Sequence, residues 1–295
     1  MTTSDEPVVV VTGLRMRYGP RDVLDGVTFQ VRRGEVLALL GPNGAGKTTT
    51  IEILEGFRAR SAGEVSVLGQ DPARATQRWR ARVGIVLQSW RDHHRWRVRE
   101  LVAHLGAHFA RYGTRSIGRP WDADDLLLAV GLAEQAGMEI GMLSGGQRRR
   151  LDVAIGVVGR PEVLFLDEPT TGFDPEARRE FHELLHVLAR DTATTILLTT
   201  HDLVEAERLA DRILILNGGR VVAYGTATEL AREIVGEDEV RWTRDGQRYT
   251  RSTNESTRFV HTLFREHGES ISDLEVRRSS LEDTYLSLVH RAESS

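Results

Sequence analysis

Residues 41–48 read Gly41-Pro42-Asn43-Gly44-Ala45-Gly46-Lys47-Thr48, which matches the phosphate-binding pattern G-x-x-x-x-G-K-[ST] at every fixed position. The apolar run 36–40 before it is typical of a buried parallel strand, and a helix is predicted over 48–57. Glycines let backbone N–H groups converge on a polyphosphate, and the helix N-terminus adds partial positive charge. Lys47 is the only lysine in the chain, and its compact ammonium suits phosphate oxygens. The stretch therefore predicts a phosphate site, with the Thr48 hydroxyl placed to bind Mg²⁺.

Two further stretches carry chemistry that belongs beside a phosphate. Leu143-Ser144-Gly145-Gly146-Gln147 precedes a predicted helix over 151–158, so it indicates a second anion-binding helix N-terminus. The predicted strand 163–168 ends in Asp167 and Glu168, and burying two adjacent acids requires a cation or a proton-transfer role. Asp167 can hold Mg²⁺ through water, and Glu168 can orient and deprotonate an attacking water.

Three single residues lie where a nucleotide could reach them. Gln88 ends the predicted strand 83–88 and His201 follows the predicted strand 195–199, and such strand ends face the ligand crevice of open α/β sheets. Tyr18 precedes the phosphate loop and could stack on a base. Taken alone, Tyr18 is also explained by strand packing, and a glutamine at a strand end needs no special role.

One motif points to a different chemistry, because His182-Glu183-Leu184-Leu185-His186 matches the H-E-x-x-H zinc-peptidase pattern. The predicted helix 175–190 has an apolar stripe, and both histidines lie about 100° or more from it. We therefore predict that both histidines face solvent and reject a peptidase site.

Composition places the chain among ordinary water-soluble globular proteins. Its 295 residues carry a net charge of −4, which argues against nucleic acid as a bulk electrostatic partner. The stretch 91–99 combines arginines, histidines and Trp96, but no second basic patch supports nucleic-acid binding. The chain has no cysteine, and no apolar run approaches the ~20 residues of a membrane span. We expect a cytoplasmic protein whose membrane contact comes only through a partner.

The order of predicted elements favours an α/β fold, a P-loop NTPase core with additions. An antiparallel β subdomain is expected near the nucleotide from the strands around 8–31, and a helical insertion subdomain over about 89–160. Residues 1–225 form the predicted nucleotide-binding domain. Residues 226–295 form a small C-terminal α/β appendage, with a hairpin near 240–250, a helix near 255–267, a strand at 271–276 and a last helix from Ser279.

Over residues 8 to about 225, the order of these motifs resembles that of ATP-binding cassette ATPases. The resemblance implies a head-to-tail homodimer that sandwiches two ATPs, each between the phosphate loop of one subunit and the 144–147 signature of the other. It assigns Tyr18 to the adenine, Gln88 to Mg²⁺ and the attacking water, and His201 to the γ-phosphate, with Asp174 linking the two sites. Phe173 stands where leucine is usual. The implied ATP-binding residues are Gly41, Pro42, Asn43, Gly44, Ala45, Gly46, Lys47, Thr48, Thr49, Ser144, Gly145, Gly146 and Gln147.

Two details resemble the drug-resistance exporter branch of that family. They are Arg148-Arg149-Arg150 after the signature and the tail 280–286. The resemblance implies a separate transmembrane permease that holds this subunit at the inner face of the cell membrane. It also implies the export of drugs or other hydrophobic compounds.

Two other interpretations fit the same motifs. A soluble cassette ATPase acting on ribosomes or DNA is the alternative, although the chain has one cassette and no heptad run. A regulatory nucleotide binder without turnover is disfavoured by the intact Glu168.

Overall fold

The computed structural model describes residues 6–86, 93–114, 117–235, 238–253 and 255–277, and it divides into two compact units, 1–222 and 223–295. The strands in these ranges are β1 (Pro7–Tyr18), β2 (Arg21–Arg32), β3 (Val36–Leu40), β4 (Ala62–Val67), β5 (Val83–Val86), β6 (Val163–Asp167), β7 (Thr195–Thr200), β8 (Arg212–Asn217), β9 (Arg220–Gly225), β10 (Asp238–Arg244), β11 (Gln247–Thr253) and β12 (Ile271–Arg277). The α-helices are α1 (Lys47–Leu54), α2 (Gln77–Arg80), α3 (Val98–Ala107), α4 (Ala123–Ala129), α5 (Gly145–Val157), α6 (Pro175–Thr192), α7 (Leu203–Leu209), α8 (Ala227–Val235) and α9 (Ser256–His267).

The first unit is built on a six-stranded sheet with the order β5-β6-β7-β3-β8-β9. β3 pairs in parallel with β7 and β8, and β6 pairs in parallel with β5 and β7. Every residue of β3 is buried, as are the apolar residues of β6 and β7, which agrees with their continuous apolar sequences. Because β7 lies between β3 and β6, the carboxyl ends of these three strands meet at one edge. The predicted α/β P-loop architecture is confirmed.

A second, antiparallel sheet with the order β2-β1-β4 also belongs to the first unit. β2 approaches the phosphate loop closely. A Cβ atom at Gly46 would lie 3.0 Å from the carbonyl oxygen of Val23 and 2.5 Å from Cδ2 of Leu24. Gly46 also has φ 104°, which L side chains rarely adopt, so only glycine fits between the loop and β2.

Two predicted helix boundaries in the insertion were wrong. α4 ends at Ala129 and not near 136, because Gly131 turns the chain with φ 68°. α5 begins at Gly145 and not at 151, because Ser144 and Gln147 form a capping box. The Ser144 hydroxyl accepts the N–H of Gln147 at 3.3 Å, and the Gln147 side chain accepts the N–H of Ser144 at 3.0 Å. The signature is therefore the first turn of the helix itself.

The second unit contains a three-stranded sheet with the order β11-β10-β12. β10 and β11 form the predicted hairpin around Asp245 and Gly246, which have φ 53° and 76°. Helix α9 packs on this sheet through buried Leu263 and through Phe259, whose ring centroid is 5.5 Å from that of Trp242. The sequence analysis missed α8, and the predicted helix from Ser279 lies outside the described residues.

None of the helices in the described ranges combines the length and the apolar character that crossing a membrane requires.

Candidate functional site

The phosphate loop connects β3 to α1 and buries its lysine. The Lys47 ammonium donates to the carbonyl oxygens of Gly41 at 2.8 Å and Pro42 at 3.3 Å. It lies 3.7 Å from Oε1 of Glu168. Burial lowers the pKa of Lys47, while the charges of Glu168 and Asp167 oppose that shift. The loop therefore holds a desolvated cation that carbonyl oxygens satisfy only in part.

A pair of oxygen donors lies beside this cation. The Thr48 hydroxyl in the first turn of α1 is 3.2 and 3.4 Å from the two carboxylate oxygens of Asp167, which ends β6. The Thr199 hydroxyl donates to Asp167 from β7. In the described ranges, no group of three or more His, Asp or Glu residues could hold a metal. Mg²⁺ keeps several waters and needs few protein ligands, so Thr48 and Asp167 fit it.

Glu168 follows β6 in a left-handed conformation with φ 43°. Its N–H donates to the Thr199 hydroxyl at 2.9 Å, which fixes the backbone. Its Oε2 accepts the Thr171 hydroxyl at 3.2 Å and lies 3.3 Å from Nδ1 of His201. The carboxylate remains partly exposed while the His201 side chain is mostly exposed. Two of the three predicted catalytic residues, Glu168 and His201, thus lie together, and Glu168 is 3.7 Å from the lysine of the phosphate loop.

Thr199 and Thr171 were missed by sequence reasoning. Thr199 is paired with Asp167 in the parallel register of β6 and β7, so one hydroxyl contacts both the acid and the next backbone N–H. Its only sequence signal is a polar residue near the end of an apolar strand. The sequence does not reveal that β7 lies next to β6.

The signature residues 144–147 line a cavity that is separate from the phosphate loop. Together with Phe173, Asp174 and part of α4 and α6, they line a cavity of about 1050 Å³. Asp174 caps α6 by accepting the N–H groups of Glu176 and Ala177 at 3.0 and 2.9 Å. Among the described residues that line this cavity, none belongs to the phosphate loop. Within one subunit the signature, one of the two predicted anion-binding helix N-termini, therefore lines a cavity to which the described phosphate-loop residues do not contribute.

The remaining predicted site residues are placed as follows. Tyr18 ends β1 with 40% of its surface exposed, and the Arg58 guanidinium lies 5.4 Å from its ring centroid. An aromatic face is thus available at the end of the antiparallel sheet. Thr49 lies half-buried in the first turn of α1. Gln88 lies outside the described residues.

The prediction that both histidines of the H-E-x-x-H stretch face solvent was wrong. His182 is buried, and its Nε2 lies 3.4 Å from Oε1 of Glu205 on α7. His186 is half-buried. The prediction considered a single buried face of α6, whereas α7 covers a second face of that helix.

Comparisons with known proteins agree with this geometry. A sequence model of the family described as "ABC transporter" matches residues 24–171. The Nod factor export ATP-binding protein I of Ralstonia nicotianae is 42% identical over 79% of this chain and 72% of its own length. The daunorubicin resistance ATP-binding protein DrrA2 of Streptomyces coeruleorubidus is 35% identical over 98% of both chains. A solved structure titled as the ATP-binding subunit of an ABC transporter covers 95% of this chain with a TM-score of 0.67 and 25% identity, and 99% of that structure is covered.

Proposed function

The chain belongs to the ABC transporter family as an ATP-binding subunit with ATPase activity, and we propose that it drives a separate membrane permease in export. Relatives named for daunorubicin resistance and for Nod factor export support an exporter of drugs or other hydrophobic compounds. In this proposal the subunit is cytoplasmic and is held at the inner face of the cell membrane by the permease. Residues 1–225 act as the ATP-binding domain and 226–295 as an accessory domain.

Phosphate binding follows from the state of Lys47. Among the described residues, its ammonium contacts two carbonyl oxygens and a carboxylate 3.7 Å away, so the β and γ phosphates of ATP offer it stronger, charged acceptors. The exposed backbone of Asn43 and Gly44 lies open to the same phosphates. Tyr18 offers a ring to the adenine. ATP binding is therefore assigned to the loop, with Thr49 extending it into α1.

The proposed metal site consists of Thr48 and Asp167, with Gln88 as a further ligand. When bound there, Mg²⁺ supplies charge neutralisation for the phosphates. Thr199 orients the Asp167 carboxylate by donating a hydrogen bond to it. This hydrogen bond holds the Asp167 carboxylate beside the Thr48 hydroxyl.

Glu168 is the proposed general base. Its carboxylate takes a proton from a water whose oxygen attacks the γ-phosphorus, and the bond to the bridging β–γ oxygen breaks. His201, 3.3 Å from the same carboxylate, contacts the γ-phosphate. Lys47 stabilises the charge that develops on the leaving diphosphate. These residues lie close enough to act on one phosphate.

The proposed active assembly is a head-to-tail homodimer. The observation that carries it is the separation of the two anion-binding helix N-termini, since the signature lines a cavity to which the phosphate loop contributes no described residue. A signature that contacts ATP must then contact the ATP of a second subunit. Asp174, which lines the signature cavity, lies where it could link the two sites.

Cysteine cross-linking tests this assembly directly, because the natural chain contains no cysteine. Asn43 is exposed in the phosphate loop, and Met142 is exposed just before the signature. A protein with Asn43→Cys, Met142→Cys and Glu168→Gln is expected to form a disulfide-linked dimer when ATP is present. The product is measured on a non-reducing gel.

The two single-cysteine proteins serve as matched controls and are expected to stay largely monomeric. A dimer that forms equally without ATP, or a link found only within one chain at saturating ATP, contradicts the sandwich model.

A further inference from the structure

The turn 168–171 has an unfavourable conformation at its first residue. Glu168 is not glycine, yet its φ is 43°. A left-handed conformation is unfavourable for an L residue with a side chain, and it persists only where surrounding groups fix it. Thr199 fixes the N–H of Glu168, but it contacts neither Pro169 nor Thr170 in the hydrogen bonds described for this turn. The next two residues are held by groups on two other elements.

Pro169 is held from the signature helix α5. Nε of Arg149 donates to the Pro169 carbonyl oxygen at 2.9 Å, and this contact is buried. Burial lowers the pKa of Arg149, with the charges of Asp152 and Asp167 opposing that shift. Its Nη1 also lies 3.8 Å from the carboxylate of Asp152. Removing a guanidinium charge from water is unfavourable unless hydrogen bonds offset the cost. The hydrogen bond from Arg149 to Pro169, next to Glu168, is one such contact.

Thr170 is held from α7, the helix that follows His201. Its hydroxyl donates to Oε1 of Glu205 at 2.7 Å, and Glu205 is only 2% exposed. The same oxygen lies 3.4 Å from Nε2 of His182 on α6. Asp202 caps α7 by accepting the N–H groups of Val204 and Glu205 at 2.9 and 3.2 Å. Glu205 is thus held at its backbone N–H by Asp202 and at its carboxylate by Thr170 and His182.

We propose that Arg149 and Glu205 form a two-sided buried clamp on residues 168–171 and act as positioning residues for the carboxylate of Glu168. Arg149 holds the Pro169 carbonyl and Glu205 holds the Thr170 hydroxyl. The inference rests on the proposed role of Glu168 as the base. It adds a route by which α5, whose first turn is the signature, and α7, which follows His201, contact the same turn.

The competing explanation is that these groups only stabilise the fold. A structural role predicts a lower melting temperature with kcat unchanged at temperatures where the protein is folded. A positioning role predicts a lower kcat with little change in ATP affinity, because displacing a catalytic group by about 1 Å can cost about 10²-fold in rate.

The first test removes one hydroxyl. Thr170→Val keeps the shape of the side chain and breaks only the bond to Glu205. We expect kcat to fall about tenfold, with the affinity for a fluorescent ATP analogue within about twofold of the parent. The matched control is Thr194→Val, since Thr194 is also buried but its hydroxyl contacts Pro161 beyond the opposite end of the strands.

The second test removes the other side of the clamp. Arg149→Met is expected to lower kcat about tenfold, and Arg149→Lys to restore part of that loss. The control is Arg119→Met, because the Arg119 side chain is also only 4% exposed but contacts Glu162 at 3.3 Å, before β6. Both Met variants should melt at lower temperature, and only Arg149→Met should lose kcat in the folded protein.

The decisive experiment introduces Thr170→Val and Arg149→Met separately into the Glu168→Gln protein. Phosphate release from radiolabelled ATP is then measured. Without the base, neither change should lower the residual rate by more than about twofold. An equal tenfold loss in both backgrounds, or unchanged kcat in the two single variants, overturns the clamp while leaving the proposed function intact. Parental activity of Glu168→Gln itself refutes the role of the base, and with it both proposals.

Discussion

The single strand β6 connects two charged environments that are built in opposite ways. Glu162 lies just before the strand and meets three arginines, Arg82 at 2.7 Å, Arg119 at 3.3 Å and Arg33 at 3.4 Å. Glu168 lies just after the strand, and the lysine that faces it is 3.7 Å away and bound to carbonyl oxygens. One end is saturated with direct ion pairs. The other keeps its cation and its acids available to a ligand.

The pKa shifts express the same difference. Burial alone raises the pKa of Glu162, but the hydrogen bond and charge of Arg82, with Arg33 and Arg119, leave it below its ordinary value. Burial lowers the pKa of Lys47, which the nearby acids only partly oppose. We therefore expect the charges at the amino end of β6 to stabilise the fold, and those at the carboxyl end to cost stability in exchange for a reactive arrangement.

The largest effect is expected from a change at the carboxyl end of β6. Glu168→Gln keeps the volume and the hydrogen bonds but removes the base, so ATP turnover should fall by about 10²–10⁴-fold. ATP binding should persist and trap the ATP-bound dimer, which size-exclusion chromatography detects. Hydrolysis at the parent rate excludes Glu168 as the base.

A second change tests the cation opposite it. Lys47→Arg preserves charge but replaces a compact ammonium by a planar guanidinium in a buried position. We expect at least about a tenfold loss of ATPase activity, measured at saturating ATP. Arg82→Lys, which alters a cation at the amino end, is the control and should leave turnover within about twofold. Retained activity in Lys47→Arg contradicts the requirement for a compact cation.

The third change breaks the amino end. Glu162→Gln leaves three arginines facing one another without their carboxylate, so the free energy of unfolding should fall by about 2 kcal/mol near neutral pH. Because the folded pKa of Glu162 is lowered, its contribution is present above the unfolded value of 4.5 and is lost as the pH falls through the folded value.

Urea unfolding of parent and variant at neutral pH and in the acid range measures that contribution. The difference between them should shrink as the solution becomes more acid. Turnover per folded molecule should stay within about twofold of the parent. A stability difference that does not depend on pH contradicts the assigned ion pairs.

The contrast between the two ends also explains what the sequence could predict. The phosphate loop, the signature and the pair Asp167 and Glu168 are each contiguous, so residue type and spacing indicate both their chemistry and their elements. The buried parallel strands were predicted because their sequences are apolar without interruption. The α/β core followed from these features together.

The supporting residues of the site could not be predicted in the same way. Thr199, Arg149 and Glu205 lie on three different elements and meet only because of the strand order and the packing of α5 and α7. The spacing of these three residues along the chain does not predict that they come together. His182 was wrongly predicted for the same reason. The prediction assumed that only one face of α6 is buried, so it placed His182 in solvent, whereas α7 packs against that position.

The smallest expected effect concerns a buried acid near Asp167. Burial, followed by the charges of Asp167 and Glu52, raises the pKa of Glu55 to about 8. Between its ordinary value of 4.5 and about 8, the unfolded chain releases this proton while the folded protein keeps it. The unfolded state then binds fewer protons, so this group makes stability fall as the pH rises through that window. The sign is opposite to that of Glu162.

Glu55→Gln removes the ionisation and should remove that decline. At pH values near 8 the variant should be more stable than the parent by about 1 kcal/mol, and the two should converge as the pH falls toward 4.5. Glu64→Gln, on an exposed acid of β4, is the control and should follow the parent throughout. The measurement is the free energy of unfolding of the parent and both variants across this pH range. Parallel pH profiles of Glu55→Gln and the parent would mean that Glu55 is ionised in the folded protein at neutral pH. The acids near the carboxyl end of β6 would then lower the free energy of unfolding less than the contrast with Glu162 predicts.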